Sequence, residues 1–349
     1  MPRKRSHNDS GIAGVLPVLK QPGPTSHDIV DMARRALRTR QVGHTGTLDP
    51  AAGGLLTLCL GPYTKLVPYL IDNDKTYHGW IALGAESSTD DSEGEPTMVG
   101  DPSALTLERI RAAVGRFVGE IEQVPPRFSA VKIAGKKLYE YARENQKVEA
   151  EPRHVIVHRF DVDALEPAEL PAPMAARRPP DAPPVTLRRV RFTARVSSGT
   201  YVRALARDLG RDLGCGGFLL SLERKSIGHV SADQAMPAEW LLSEPERAHQ
   251  FMIRGAATLD PNRYPILTLL RGYERRLANG QPLNDRMMDN PTIAAAVPSG
   301  AICGIAGEGG ELLAIMEAER FDAMRRVNPY DSRFDVHFRP VRIFPGGLR

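Results

Sequence analysis

The sequence predicts an α+β protein, and three observations carry that reading. Val190, Phe192, Ala194 and Val196 alternate with Arg191, Thr193 and Arg195, the period of a half-buried strand. Leu55 to Leu60 is an unbroken apolar run, short enough to be a fully buried strand. Capped segments with helical spacing stand between the strands. Thr25-x-x-Asp28 matches a capping box, and Ile29, Ala33, Ala36 and Leu37 follow on one face.

The elements follow in order. Residues 14–19 form a short apolar strand, 20–26 a turn, and Thr25 opens the first helix. A glycine-punctuated loop over residues 42–54 leads into the buried strand. Tyr77 to Leu83 alternates and reads as the next strand. Gly84 to Gly100 is a polar, acidic connection whose acids lack the spacing of a calcium loop. Thr106 caps a second helix bearing Ile110, Ala113, Val114, Phe117 and Val118. Residues 124–153 mix prolines, a glycine turn, lysines and tyrosines, as an exposed arm able to stack and to meet phosphates would. Within that arm, Leu138 to Ala142 also fits an ordinary amphipathic helix. Leu165 to Pro184 is rich in Pro and Ala without periodicity and reads as an exposed, partly disordered insertion between two strands. Ser198-Gly199-Thr200 opens a third helix. Val202, Leu205, Leu209 and Leu213 form its buried face and Gly214 ends it. From about Asn262 the texture changes. Leu277 to Gly280, Gly300 to Gly310, Glu311 to Met316 and His337 to Phe344 suggest short strands and glycine turns, a small β-rich domain over 260–349.

With 349 residues the chain is long enough for two domains. A hydrophobic share of 42% and a charged share of 25% fit a soluble globular protein. No apolar stretch approaches the roughly 20 residues that span a bilayer, so no membrane is expected. Residues 1–10, with Arg3, Lys4 and Arg5, are polar and basic without a signal-like apolar core and read as a solvated tail. Cys59, Cys215 and Cys303 are scattered outside any metal-ligand pattern, which argues for a reducing compartment and against a zinc site. The net charge is only +4, yet Arg188 to Lys225 holds nine Arg or Lys against three Asp or Glu. That segment is either a phosphate-contacting surface or a solvated face.

The most informative stretch is Val42-Gly43-His44-Thr45-Gly46-Thr47-Leu48-Asp49-Pro50-Ala51-Ala52-Gly53-Gly54. It sets one carboxylate on a stiff turn against the core, because Pro50 steers Asp49 toward an extended conformation. The plainer alternative is an Asp-Pro helix start. Arg203 is a second irregularity, since a cation in the first turn of a helix opposes the helix dipole. A local rule broken in this way points to a functional partner.

His44-Thr-Gly-Thr-Leu-Asp49-Pro followed by Gly53-Gly-Leu-Leu resembles the catalytic motif of the TruB family of pseudouridine synthases. Further blocks in the same order extend the resemblance from about Gly14 to Gly228. They are Lys20-x-x-Gly23, Lys75-x-Tyr77, the block 120–143, Gly199-Thr-Tyr201-Val-Arg203, and Gly214 to Arg224. Two positions depart from the pattern. Gln21 stands where the family usually has proline, and Glu223 where it has the first of two arginines.

The resemblance implies that Asp49 is the catalytic residue, that Tyr77 stacks on the target base, that Arg203 pairs with the aspartate and that Leu222 packs under the base. It implies that His44 sits where the extruded base was, and that Lys20, Asp91 and Tyr201 belong to the substrate surroundings. Lys132, Lys136 and Lys137, with Tyr139 and Arg143, are implied near RNA. Tyr77 as a packing aromatic and His44 as a surface histidine are the alternatives on residues alone. The implied fold is a mixed, largely antiparallel central sheet with flanking helices over 11–259, the pseudouridine synthase fold, then a PUA-like RNA-binding module over 260–349. The implied activity is isomerisation of a uridine to pseudouridine in tRNA, at uridine 55 of the T stem-loop. No cofactor or metal is expected, and a stand-alone cytoplasmic monomer needs no obligate protein partner.

The chemistry agrees with that implication. Breaking an N-glycosidic bond leaves an electrophilic sugar carbon that a carboxylate can attack or stabilise. One well-framed acid with an arginine favours isomerisation in a single pocket over hydrolysis by two carboxylates. The target base must leave its stack for an aromatic and apolar pocket. An RNA-binding folding factor, a nucleoside hydrolase and the guide-dependent branch of the superfamily are the competing readings.

Overall fold

A computed structural model describes residues 10–348 except 99, 145, 147, 149, 179–180, 182–184 and 321–335. The basic tail expected over 1–10 lies almost wholly outside the described residues.

The framework is a ten-stranded sheet. From edge to edge it runs Met236–Pro237, Gly14–Lys20, Gly53–Leu60, Gly217–Ile227, Lys75–Leu83, Leu187–Val196, Arg153–Ala168 and Gly119–Gln123. Val42–His44 pairs with strand 53–60, and Val230–Ser231 with strand 217–227. Strand 14–20 pairs in parallel with 236–237, and 217–227 with 53–60, while the other pairs are antiparallel. The sheet is therefore mixed and largely antiparallel, as the family resemblance implies.

Burial follows the alternation read from the residues. Val190, Phe192, Ala194 and Val196 lie in the core at 1% exposure or less, and every residue of strand 53–60 is buried. Helices Ser26–Ala36, Leu107–Gly115 and Val202–Asp212 place Ile29, Ala33, Ile110, Val114, Leu205 and Leu209 in that same core. Thr25 and Asp28 form the expected capping box, and Thr106 accepts from the Arg109 N–H at the second helix. That helix ends at Gly115, so Phe117 only packs against the core and Val118 is exposed.

The central parallel junction is short: Glu223 pairs with Gly53 and Arg224 with Gly54, and nothing further. Gly54 has φ +99, and a Cβ there would lie 2.4 Å from the Arg224 carbonyl oxygen. Only glycine allows this approach. The two halves of the sheet meet at this seam, and the Asp49 loop enters strand 53–60 beside it.

The Pro/Ala-rich segment is more ordered than its composition suggests. The strand continues through Leu165 to Ala168, paired with Val190 to Leu187. A short helix, Ala172–Ala175, then buries Met174 among Ala82, Leu187 and Phe218. One apolar side chain anchors the insertion, a contact that periodicity cannot reveal. Residues 179–180 and 182–184 of it lie outside the described residues.

The chain ends in a separate five-stranded sheet, ordered Ile266–Thr268, Ile302–Ala306, Leu312–Arg320, Val336–Leu348, Leu283–Asn284. Leu277 to Gly280 is not a strand. It closes the helix Glu274–Ala278, with the Gly280 N–H bonded to the Leu277 carbonyl. Leu259, Tyr264, Leu312, Ile315, Phe344 and Leu348 pack onto Val15, Cys59, Tyr63, Leu66 and Leu70 beneath the first sheet.

Candidate active site

A cavity of about 780 Å³ opens beside the seam. It is lined by the loop Gly46 to Pro50, Lys75 and Tyr77, Asp91, Phe128 to Ala130, Tyr139 and Arg143, Tyr201 to Arg203, Leu222 and Arg224.

Asp49 does not cap a helix. Its carbonyl accepts from the Ala52 N–H in a turn, and strand 53–60 follows directly. Three side chains fasten the loop. Ser26 Oγ accepts from the Leu48 N–H at 2.8 Å and donates to the Leu48 carbonyl at 3.0 Å. Arg224, 1% exposed, donates to the carbonyls of Leu55, Thr47 and Gly46 at 2.7, 3.3 and 3.0 Å. Lys20, also 1% exposed, donates to the carbonyls of Gln21 and Pro50 at 3.0 and 3.2 Å. With its backbone so held, the Asp49 carboxylate has few positions open to it.

Arg203 Nε meets Asp49 Oδ2 at 3.0 Å. The guanidinium is buried, while the Asp49 side chain remains 41% exposed toward the cavity. The pairing is as the sequence implies, but the carboxylate is half-exposed, not buried. Arg203 Nη1 also donates to the Thr89 carbonyl at 3.0 Å and lies 3.5 Å from Asp91 Oδ2, and Nη2 donates to the Phe128 carbonyl at 3.0 Å. A cation in the first helical turn is thus repaid by two carboxylates and two carbonyls. Gln123, buried, brackets the start of this helix. Its Oε1 accepts from the Tyr201 N–H at 2.8 Å and its Nε2 donates to the Tyr201 carbonyl at 3.1 Å.

Register explains why Tyr77 and Leu222 reach the same cavity. Strands 75–83 and 217–227 are neighbours, with Leu222 opposite Gly79 and Arg224 opposite Tyr77. Tyr77 is 8% exposed, so its ring forms part of the wall. Asp91 sits behind Arg203 at 7% exposure and accepts from the Glu93 N–H at 3.0 Å. His44 does not line the cavity with these residues. It lies on the strand paired with 53–60, half-buried, and its Nδ1 accepts from the Gly46 N–H at 3.3 Å. Burial, with the Arg224 charge, pulls its pKa below the ordinary histidine value. Lys20 lies under the loop, and desolvation lowers its pKa from 10.5.

The arm folds as a small hairpin, Lys132–Ile133 with Lys136–Lys137, followed by helix Leu138–Arg143. The helix expected over Leu138 to Ala142 is present. Lys132 is exposed. The Lys136 ammonium lies 4.7 Å from the Tyr141 ring and is paired to Glu144. Lys137 and Arg143 lie 5.4 and 5.2 Å from the Tyr139 ring at the cavity wall.

The basic segment 188–225 is a different matter. Arg189, Arg191, Arg195, Arg203, Arg207, Arg211 and Lys225 pair with Glu166, Asp163, Asp74, Asp49, Asp90, Glu86 and Glu223. Arg188 and Arg224 are bonded to carbonyls. Only Arg203, Arg207 and Arg224 of these are buried; the other paired ones form exposed ion pairs, so the count in the sequence mixes structural cations with surface ones.

Sequence reading missed Lys75, Arg224 and the carbonyls of Thr89 and Phe128. Period-two spacing could have found the first two, because Lys75 shares a strand face with Tyr77 and Arg224 with Leu222. Backbone carbonyls carry no residue signature.

The profile described as "TruB family pseudouridylate synthase (N terminal domain)" matches residues 34–202. A tRNA pseudouridine synthase B of Arthrobacter sp. strain FB24 is 39% identical over 305 residues, covering 86% of this chain and 94% of the relative. One from Thermus thermophilus is 38% identical over 321 residues, covering 87% and 95%. Among solved structures, a Cbf5-Nop10-Gar1 complex contains a chain with a TM-score of 0.65 at 22% identity, covering 98% of this chain and 88% of that one. An H/ACA ribonucleoprotein bound to a substrate RNA contains another, at 0.64 and 20%, with the same coverages. These structures share the fold, including the separate β-rich C-terminal sheet. Given relatives of this identity over nearly their whole length, the chain belongs to the TruB family of pseudouridylate synthases and is an isomerase of that family.

Proposed function

We propose that this enzyme converts uridine 55 in the T loop of tRNA to pseudouridine, with Asp49 as the nucleophile. The observation that carries the reading is the Arg203–Asp49 pair at 3.0 Å, opening into a cavity walled by Tyr77 and Leu222. A carboxylate anchored by a buried guanidinium meets the electrophilic centre formed as the N1–C1′ bond breaks. Asp49 bonds to C1′ as N1–C1′ breaks; the freed uracil anion turns within the pocket, C5 attacks C1′ and displaces the carboxylate, and the C5 proton leaves while N1 gains one. A cavity of about 780 Å³ suits one extruded nucleotide. The relatives are named for tRNA, and the arm beside the cavity offers Lys132, Lys137, Tyr139 and Arg143 to a stem-loop. In this reading residues 11–259 form the catalytic domain and 260–349 an RNA-binding module of a cytoplasmic monomer.

Tritium release from a T-arm RNA labelled at C5 of the target uridine tests this. Wild type releases tritium; Asp49→Asn, nearly isosteric, does not, and still binds RNA within a few-fold. Equal release by the variant overturns the nucleophile. Binding without release by wild type would instead favour an RNA-folding factor.

A further inference from the structure

Helix Val202–Asp212 carries a second buried arginine one turn beyond Arg203. Arg207 Nη1 donates to Asp90 Oδ2 at 3.0 Å and Nη2 to the Val124 carbonyl at 3.0 Å. Its Nε and Nη2 also reach the neighbouring Asp208 carboxylate at 2.8 and 3.2 Å. Arg207 is not among the residues lining the catalytic cavity, and the chemistry above makes no use of it.

Residues four apart lie on one face of a helix. From that face the two arginines grip the same two loops. Arg203 holds the first at the Thr89 carbonyl and Asp91, and Arg207 holds it at Asp90 between them. Arg203 holds the second at the Phe128 carbonyl, and Arg207 holds it at Val124.

Asp90 is the odd residue in this arrangement. Its φ of +61 lies in the left-handed region, uncommon for a residue with a side chain. In that conformation its carbonyl accepts from the Leu219 N–H at 3.0 Å and its own N–H donates to Ser87 at 3.1 Å. The chain therefore turns sharply between Thr89 and Asp91, the two residues that hold Arg203. Removing the Arg207 pairing leaves a buried carboxylate in a strained conformation without its guanidinium partner, and the loop has reason to relax.

We propose that Arg207 is a positioning residue for the isomerisation: through Asp90 and Val124 it sets the two loops that aim Arg203 at Asp49. This rests on Asp49 being the catalytic carboxylate. Misplacement of about 1 Å at a catalytic group can cost roughly 100-fold in rate. Arg207 also links the loop leading into the RNA-facing arm to the helix bearing Arg203, so the arm and the catalytic pair share one rigid support.

The test is single-turnover pseudouridine formation on a T-arm RNA, reading rate constant and amplitude separately, with RNA affinity measured beside them. Wild type, Arg207→Gln, Arg207→Lys, Asp90→Asn, the Arg207→Gln/Asp90→Asn double variant and Asp49→Asn are compared. Arg207→Gln and Asp90→Asn should each lower the rate constant roughly 10- to 100-fold, with full amplitude and nearly unchanged affinity. The double variant should be no slower than the slower single one, and Arg207→Lys should recover part of the rate by keeping the charge beside Asp90. A rate constant close to wild type at full amplitude overturns the proposal. So does a loss confined to amplitude, the mark of a merely structural role, or one confined to affinity. If Arg207→Gln does not fold, Asp90→Asn decides by the same criteria. An active Asp49→Asn would overturn the underlying reading; an inactive one beside an unimpaired Arg207→Gln overturns only the clamp.

Discussion

Lys75 shows how one residue records the cost of building this site. It is 7% exposed, lines the cavity and donates to the Ile71 carbonyl. Burial, reinforced by the Arg224 charge, pulls its pKa from 10.5 down to about 8. The unfolded chain keeps this proton up to about 10.5, whereas the folded protein releases it near 8. Between those values the unfolded state binds more protons, so folding stability rises with pH. Against Lys75→Met, wild type should therefore gain stability from pH 7.5 to pH 10, by an order of 3 kcal/mol for a shift of this size. Urea unfolding of both proteins across that range checks it. A constant difference between them would mean that Lys75 titrates normally. Cys59 behaves differently: burial pushes its thiol up to about 12, so it is inert packing, as its place in an apolar strand suggests.

At the scale of elements, the proposed function assigns RNA binding to the arm and alignment of the catalytic pair to the helix 202–212. The arm's cations stack on tyrosines near the cavity, where a phosphate chain can reach them. Lys136→Ala combined with Lys137→Ala should weaken RNA binding and reduce the slope of log Kd against log salt by roughly 1 to 2, since each phosphate contact contributes about 0.7–0.9. Fluorescence anisotropy titrations at several salt concentrations measure this, and an unchanged slope removes the arm from the interface.

For the whole molecule, the C-terminal sheet covers an apolar surface of the first sheet. Tyr63, Leu66 and Leu70 share one buried cluster with Tyr264, Phe344 and Leu348 of the C-terminal segment, and Tyr63 accepts from the Gly255 N–H at 2.7 Å. A chain cut after residue 259 would expose that surface. It should show a clearly lower melting temperature and a tendency to associate, measured by calorimetry and light scattering. Retention of the full-length melting temperature by a monomeric fragment would show that the second sheet lends the first no stability. No helix among the described residues is long and apolar enough to cross a membrane.

The sequence by itself left the central strand 217–227 unread but located strands 14–20, 53–60, 75–83 and 187–196 and helices 26–36, 107–115 and 202–212, because alternation, apolar runs and caps are local and residue-specific. It also singled out Asp49, Tyr77, Arg203 and Leu222, through motifs and, for Arg203, through a broken helix rule. Tertiary structure alone decided what joins them. It showed the basic segment to be internally paired, Lys20 and Arg224 to be fasteners of the Asp49 loop, and Met174 to be the anchor of the Pro/Ala insertion. It also brought carbonyls from 89, 124 and 128 onto two arginines of one helix. The physical reason is common to all of these. Hydrogen bonds to backbone carbonyls and ion pairs between distant segments depend on where the chain returns in space, and neither leaves a period or a residue signature along it.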